Sequence, residues 1–207
     1  MEILGELERT FATTIYPNRV LFAVAGVVLF ALLVVLARRR RWDLAARRRP
    51  RRTAAGVLIA LAVFGPLGWY LGSPLVLSST IDEPTPIVAV PSASAAAAIA
   101  PGERSGAFIG ADEFHFGRGT ARILETAPGS FTVRLEDFAV RNGPDLYVYL
   151  SPSPEGSAQD AIDIGRLKAD RGNQNYAVPP GTDLANVRSV VIWCKEFGVL
   201  FATASLG

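Results

Sequence analysis

The sequence predicts a membrane-anchored all-β protein: two N-terminal transmembrane helices followed by an antiparallel β-sandwich or barrel-like domain. Three observations predict it. Two uncharged apolar runs, Val20 to Ala37 and Ala54 to Leu77, fall within the first 77 residues. Between them, residues 38–52 carry nine of the 21 basic side chains and one acid, Asp43. The last hundred residues then read as short alternating runs separated by turn residues, with no candidate for a long helix.

Residues 1–18 form a short N-terminal segment in which Ile3, Leu4, Leu7 and Phe11 fall at helical spacing, as in a helix lying on a membrane surface. Residues 19–37 are the first span. The uncharged run in it, at 1.5 Å rise per residue, covers about 27 Å, close to the ~30 Å of a bilayer core. A secretory signal would need a basic start and a small-residue cleavage site. This N-terminus, MEILGELERT, is more acidic than basic, and the span ends in four arginines.

Residues 38–53 are an Arg-rich loop. Short loops beside span ends retain Lys and Arg on the cytoplasmic side. The loop therefore places residues 1–18 and everything after Leu77 outside, in a two-pass plasma-membrane topology with both termini extracytoplasmic. The same loop is suited to anionic lipid head groups. Residues 54–77 are the second span; Gly65-Pro66 interrupts its composition, and Trp69 and Tyr70 suit an aromatic belt. Residues 78–104 are rich in Pro, Ser and Ala and read as an extended stalk.

From Glu103 onward there are ten basic and thirteen acidic residues, a net charge of −3, so the basic excess is local and no nucleic-acid partner is expected. The expected partners are the lipid bilayer and either a redox partner or a surface ligand. Residues 105–207 form the β-domain. Phe131, Val133 and Leu135 alternate with polar residues, as do Leu146, Val148 and Leu150 with Tyr147 and Tyr149. In VVIWC, Cys194 shares a face with Val190 and Ile192, and both faces are apolar, which predicts a central strand covered on both sides. Asn142-Gly143-Pro144-Asp145 is a turn.

Four stretches of this domain, GAFIGADEFHFGRGTA (106–121), LEDFAVRNGPDLYVYLS (135–151), DIGRLKADRGNQNYAVP (163–179) and SVVIWCKEFGVLFATASL (189–206), together resemble the DM13 domain family. The resemblance covers nearly all of the outer domain and none of the membrane hairpin. It implies a β-sandwich-like fold and an electron-transfer role. It also implies that Cys194, which matches the family's single cysteine, is a redox thiol or a ligand to a prosthetic group such as haem.

Cys194 is the only cysteine, so an intrachain disulfide is excluded. A lone thiol in an oxidising compartment is buried, bound to a cofactor or used between chains. His115 is the only histidine, and in DEFHFG it alternates with Phe114 and Phe116 as on a strand. Imidazole and thiolate together suit haem iron, or copper if carboxylates join; no CxxCH is present for covalent haem. Asp137, Asp145, Asp163 and Asp170 read as turn and capping carboxylates, and the aromatics Tyr147, Tyr149, Tyr176, Trp193 and Phe197 as packing groups. Two functions follow: a membrane-tethered extracytoplasmic redox or electron-transfer module using Cys194, with His115 as second ligand, or a non-catalytic binding or adhesion module with Cys194 in the core. A hydrolytic enzyme ranks behind both, because no nucleophile motif or acid/base constellation stands out.

Overall fold

The computed structural model describes residues 5–6, 9–39, 48–87 and 104–207. The expected surface helix over residues 3–11 and the stalk over 88–103 fall largely or wholly outside them. The chain opens with a π-helical turn, Phe11–Ile15, and helix α1, Arg19–Arg39. Helix α2, Pro50–Val76, starts with proline in its first turn, where the missing N–H costs nothing, and runs on through Gly65 and Pro66. Both helices are long and apolar enough to cross a membrane, by length and composition. Leu29, Phe30, Leu58 and Phe64 are among many apolar side chains left exposed on them.

Eight antiparallel strands follow: β1 Arg104–Gly110, β2 Gly117–Ala127, β3 Ser130–Val140, β4 Leu146–Ser151, β5 Ile162–Arg166, β6 Arg171–Ala177, β7 Ser189–Cys194 and β8 Val199–Ser205. They form one sheet in the order β5-β4-β7-β8-β1-β2-β3-β6, curled until its edges β5 and β6 come near each other. The result is a nearly closed barrel, the barrel-like alternative of the predicted fold class.

Period-two alternation places Val133 and Leu135 from β3, Leu146, Val148 and Leu150 from β4, and Val190, Ile192 and Cys194 from β7 in one core with Phe108, Ile123 and Phe201. Burying each large apolar side chain contributes about 1.5–3 kcal/mol. The expectation for VVIWC holds: β7 lies between β4 and β8. Its outer residue Val191 is fully buried and pairs with Tyr149 and Thr203. The loop after β4 covers this outer face, where Ser189 and Ser205 donate to the carbonyls of Ser153 and Pro154. Gly156, at φ +85°, is needed there because a Cβ would collide with Thr203.

Two expectations need correction. His115 is not on a strand. Residues 111–116 form the turn between β1 and β2, because Asp112 Oδ1 accepts the main-chain N–H groups of Phe114 (2.8 Å) and His115 (2.7 Å) and so ends the ladder. Nor does a free stalk begin at residue 78. Residues 79–84 lie parallel to β6, with Thr80 bridging Arg171 and with Ile81 and Glu83 donating to the carbonyls of Arg171 and Asn173. The open edge of β6 supplies unpaired main-chain groups that a polar, proline-flanked segment can satisfy. This also buries Arg134, a position that alternation on β3 assigns to solvent.

Candidate functional site

Strand directions gather four turns at one end of the barrel: 111–116, 141–145, 167–170 and 195–198. This end also meets the helices. Asn142 Nδ2 donates to the Leu77 carbonyl at 3.0 Å, and Arg19 at the start of α1 pairs with Glu113 at 3.5 Å. The rings of Phe11 and Tyr16 pack edge-on against Phe114 at 5.1 and 4.9 Å. Both sequence-derived candidates, Cys194 and His115, belong to this helix-facing pole.

Cys194 is the last residue of β7 and is fully buried. The chain then turns back to β8, with Gly198 N–H donating to Cys194 O at 2.9 Å and Lys195 N–H to Asp145 O at 3.0 Å. Burial pushes the Cys194 thiol above its ordinary range, against the pull of the main-chain N–H groups of Phe197, Asp145 and Glu196 that face the sulfur. The net result is a protonated thiol at neutral pH, which is a poor nucleophile. Lys195 does not alter this: its Nζ lies on the outer face, 3.7 Å from the centre of the Tyr147 ring and bonded to Asp163.

His115 is also fully buried. Its Nδ1 lies 2.7 Å from Asp112 Oδ2, and its ring contacts Phe114 at 5.0 Å and Phe201 at 4.4 Å. Burial raises the Asp112 pKa, but hydrogen bonds from the main chain and ring of His115 and from the Phe114 amide outweigh it and hold the carboxyl below its usual range. Arg141 closes this corner, stacking over Phe114 at 4.6 Å and Tyr16 at 5.5 Å while its Nε donates to Phe114 O.

Phe201 packs into the same core as Cys194. Its ring rests on His115, and its far edge meets Leu146 beside Gly143; Leu146 is the register partner of Cys194. A haem held by both residues needs a slot of several hundred Å³. The described cavities are lined by neither Cys194 nor His115. One of about 100 Å³ is lined by Ser79, Asn142, Leu146, Arg166 and Asp170. A shallow one of about 610 Å³ is lined by Asp82, Arg118 and Asp137. Among the described residues no three of His, Cys, Asp and Glu come together as a metal set. Cys194 and His115, both fully buried, therefore leave no described space beside them for a haem.

Sequence reasoning missed Asp112, Arg141 and Phe201. The Asp112-to-His115 spacing was the one local signal available, an acidic side chain able to accept the amides two and three residues on. Of the four turn carboxylates, Asp163 caps Gly165 N–H at 2.8 Å, and Asp170 accepts the amide and hydroxyl of Ser79.

Compared with known proteins, residues 108–206 match the family described as Electron transfer DM13. No curated protein and no solved structure matches the chain.

Proposed function

With residues 108–206 belonging to the DM13 domain family, we propose that the chain is a membrane-tethered electron-transfer module on the outer face of the plasma membrane. Its redox group is the Cys194 thiol, buried at the end of β7 on the pole that faces the bilayer. One observation carries this reading: the helix ends pack against the pole that holds both candidates, through Leu77 and Asn142 of the 141–145 turn and through Tyr16 and Phe114 of the His115 turn. A partner at the membrane surface then lies a few side chains from the sulfur.

Sidedness rests on the nine arginines between the spans, since cationic loops stay cytoplasmic. His115 acts as a positioning residue: held by Asp112, it props Phe201 against the Leu146 and Cys194 end of the core.

The test uses the full chain in lipid nanodiscs with a lipid-soluble quinone as oxidant, which takes two electrons and two protons as the thiol and a water molecule become sulfenic acid, followed by tagging and mass spectrometry of the Cys194 sulfenic acid. Quinone reduction that is lost in Cys194→Ser while the fold is retained supports the role; reduction unchanged in that variant refutes it. A second reading, a binding module with Cys194 as a core residue, draws on the thiol's complete burial and raised pKa. It is favoured if Cys194→Ala lowers stability alone.

A further inference from the structure

The strongest contacts outside the sheet hold residues 79–84. Main-chain bonds alternate: Arg171 N–H donates to Ser79 O (3.1 Å), Ile81 N–H to Arg171 O (3.1 Å) and Glu83 N–H to Asn173 O (2.9 Å). Side chains lock the register. Asp82 Oδ1 accepts the main-chain and side-chain N–H groups of Asn173 at 3.1 and 2.9 Å. Glu83 accepts the Asn175 amide at 2.6 Å and Lys168 Nζ at 2.7 Å. Arg134, only 5% exposed, donates to the carbonyls of Glu83 and Pro84. Gly172, at φ +95°, leaves room for the main chain of Ile81 that any Cβ would occupy.

This segment starts two residues after the Leu77 carbonyl that Asn142 holds. No slack chain separates the end of α2 from the barrel. A flexible linker of the 27 residues 78–104 would have a root-mean-square reach of about 26–31 Å, so docking residues 79–84 removes most of the freedom such a linker gives.

We propose that residues 79–84 are a strap that clamps the β-domain onto the end of α2 and holds the Cys194 pole at the bilayer surface, the released strap being a tether on which the domain moves away. The proposal rests on the membrane reading above and adds a device that sets the distance between the pole and the lipid. The strap satisfies the free edge of β6 with the chain's own backbone, so it competes with any other strand for that edge.

The test uses the full chain in phosphatidylcholine vesicles containing a lipid with a nitroxide-labelled head group. Hydrogen exchange reads the amides of Ile81 and Glu83, and a fluorophore on Arg118→Cys, exposed on β2 near the pole, reads proximity to lipid. Wild-type amides are protected and the fluorophore is quenched. The double variant Asp82→Ala/Glu83→Ala, which changes only strap residues, exchanges at residue 81 about tenfold faster or more and loses most of the quenching. Gly172→Ala, acting from the β6 side, gives the same pair of changes. Quenching that persists after the strap amides are freed overturns the clamp. Fast exchange in the wild type beside a quenched fluorophore overturns the strap alone. Protected amides beside an unquenched fluorophore overturn the bilayer placement of the pole, and the clamp with it.

Discussion

The side-chain amide of Asn142 donates to the main-chain oxygen of Leu77 across 3.0 Å, joining the turn between β3 and β4 to the residue that ends α2. Leu146, four residues further on, is the register partner of Cys194. A short path of covalent and hydrogen bonds therefore runs from a membrane-length helix to the strand end that carries the sulfur. It places the sequence's two chemically distinctive side chains on the helix-facing side of the barrel.

The Cys194 thiol is expected to resist maleimide in the folded chain and to react fully in denaturant. Cys194→Ala lowers the unfolding free energy by about 1–2 kcal/mol, since it leaves a small void in packed core. Burial raises the folded pKa. The resulting stability is therefore complete below the ordinary thiol pKa and is lost as pH rises through the folded value. Chemical denaturation from pH 7 to 10 checks the sign, with Cys194→Ala showing a shallower alkaline decline.

Asp112→Asn keeps the acceptor for the Phe114 and His115 amides and weakens the bond to the His115 ring. It is expected to cost about 1–2 kcal/mol. The Asp112 carboxyl is held below its usual range. Its contribution is present above the unfolded carboxylate pKa and is lost as pH falls through the folded one. Thermal unfolding of the wild type is then more acid-sensitive than that of the variant between about pH 5 and 3.

Glu83 behaves likewise at the strap. The hydrogen bond from Lys168 holds its carboxyl low; burial opposes this, and the Asn175 amide and the charges of Lys168 and Arg134 assist it. Acid should free residues 79–84 progressively as the pH falls below the ordinary glutamate range and on through the lowered pKa. Exchange at Ile81 and Glu83 followed down a pH series, corrected for intrinsic rates, reads this directly. Glu83→Gln should exchange faster at neutral pH and lose this dependence on acid.

Arg134 is buried and bonds Glu136 at 2.9 Å, Asn175 at 2.9 Å and the two strap carbonyls. Arg134→Leu should destabilise the domain by about 3 kcal/mol, because it leaves several buried acceptors unmet. Lysine should restore only part of this, lacking the planar fork. Denaturant midpoints of the three proteins give the comparison.

The barrel strands were legible because Val190, Ile192 and Cys194, like Leu146, Val148 and Leu150, repeat every second residue towards one core. The helices were legible because apolar length has few other uses. The His115 turn was misread because Phe114-His115-Phe116 alternates like a strand, while the bonds from Asp112 that break it reveal themselves only in three dimensions. Burial of Arg134 and docking of residues 79–84 depend on an edge some 90 positions away in sequence, at Arg171 and Asn173, which no local pattern encodes. Asp137, at φ +48° where the β3–β6 register shifts, was equally hidden. The place of Phe201 beside His115 follows from an extra residue in β8 between the Ala202 and Leu200 pairings.

Sidedness offers the most direct check on the claim that the sulfur-bearing pole meets the bilayer from outside. A phosphatase that is active only outside the cytoplasm, fused after Gly207, is predicted to be active in intact cells, with a cytosol-dependent fluorescent reporter at the same position dark. A bright cytosolic reporter and an inactive phosphatase would contradict it, because the domain would then lie with the arginines of residues 38–52 on one side of the membrane.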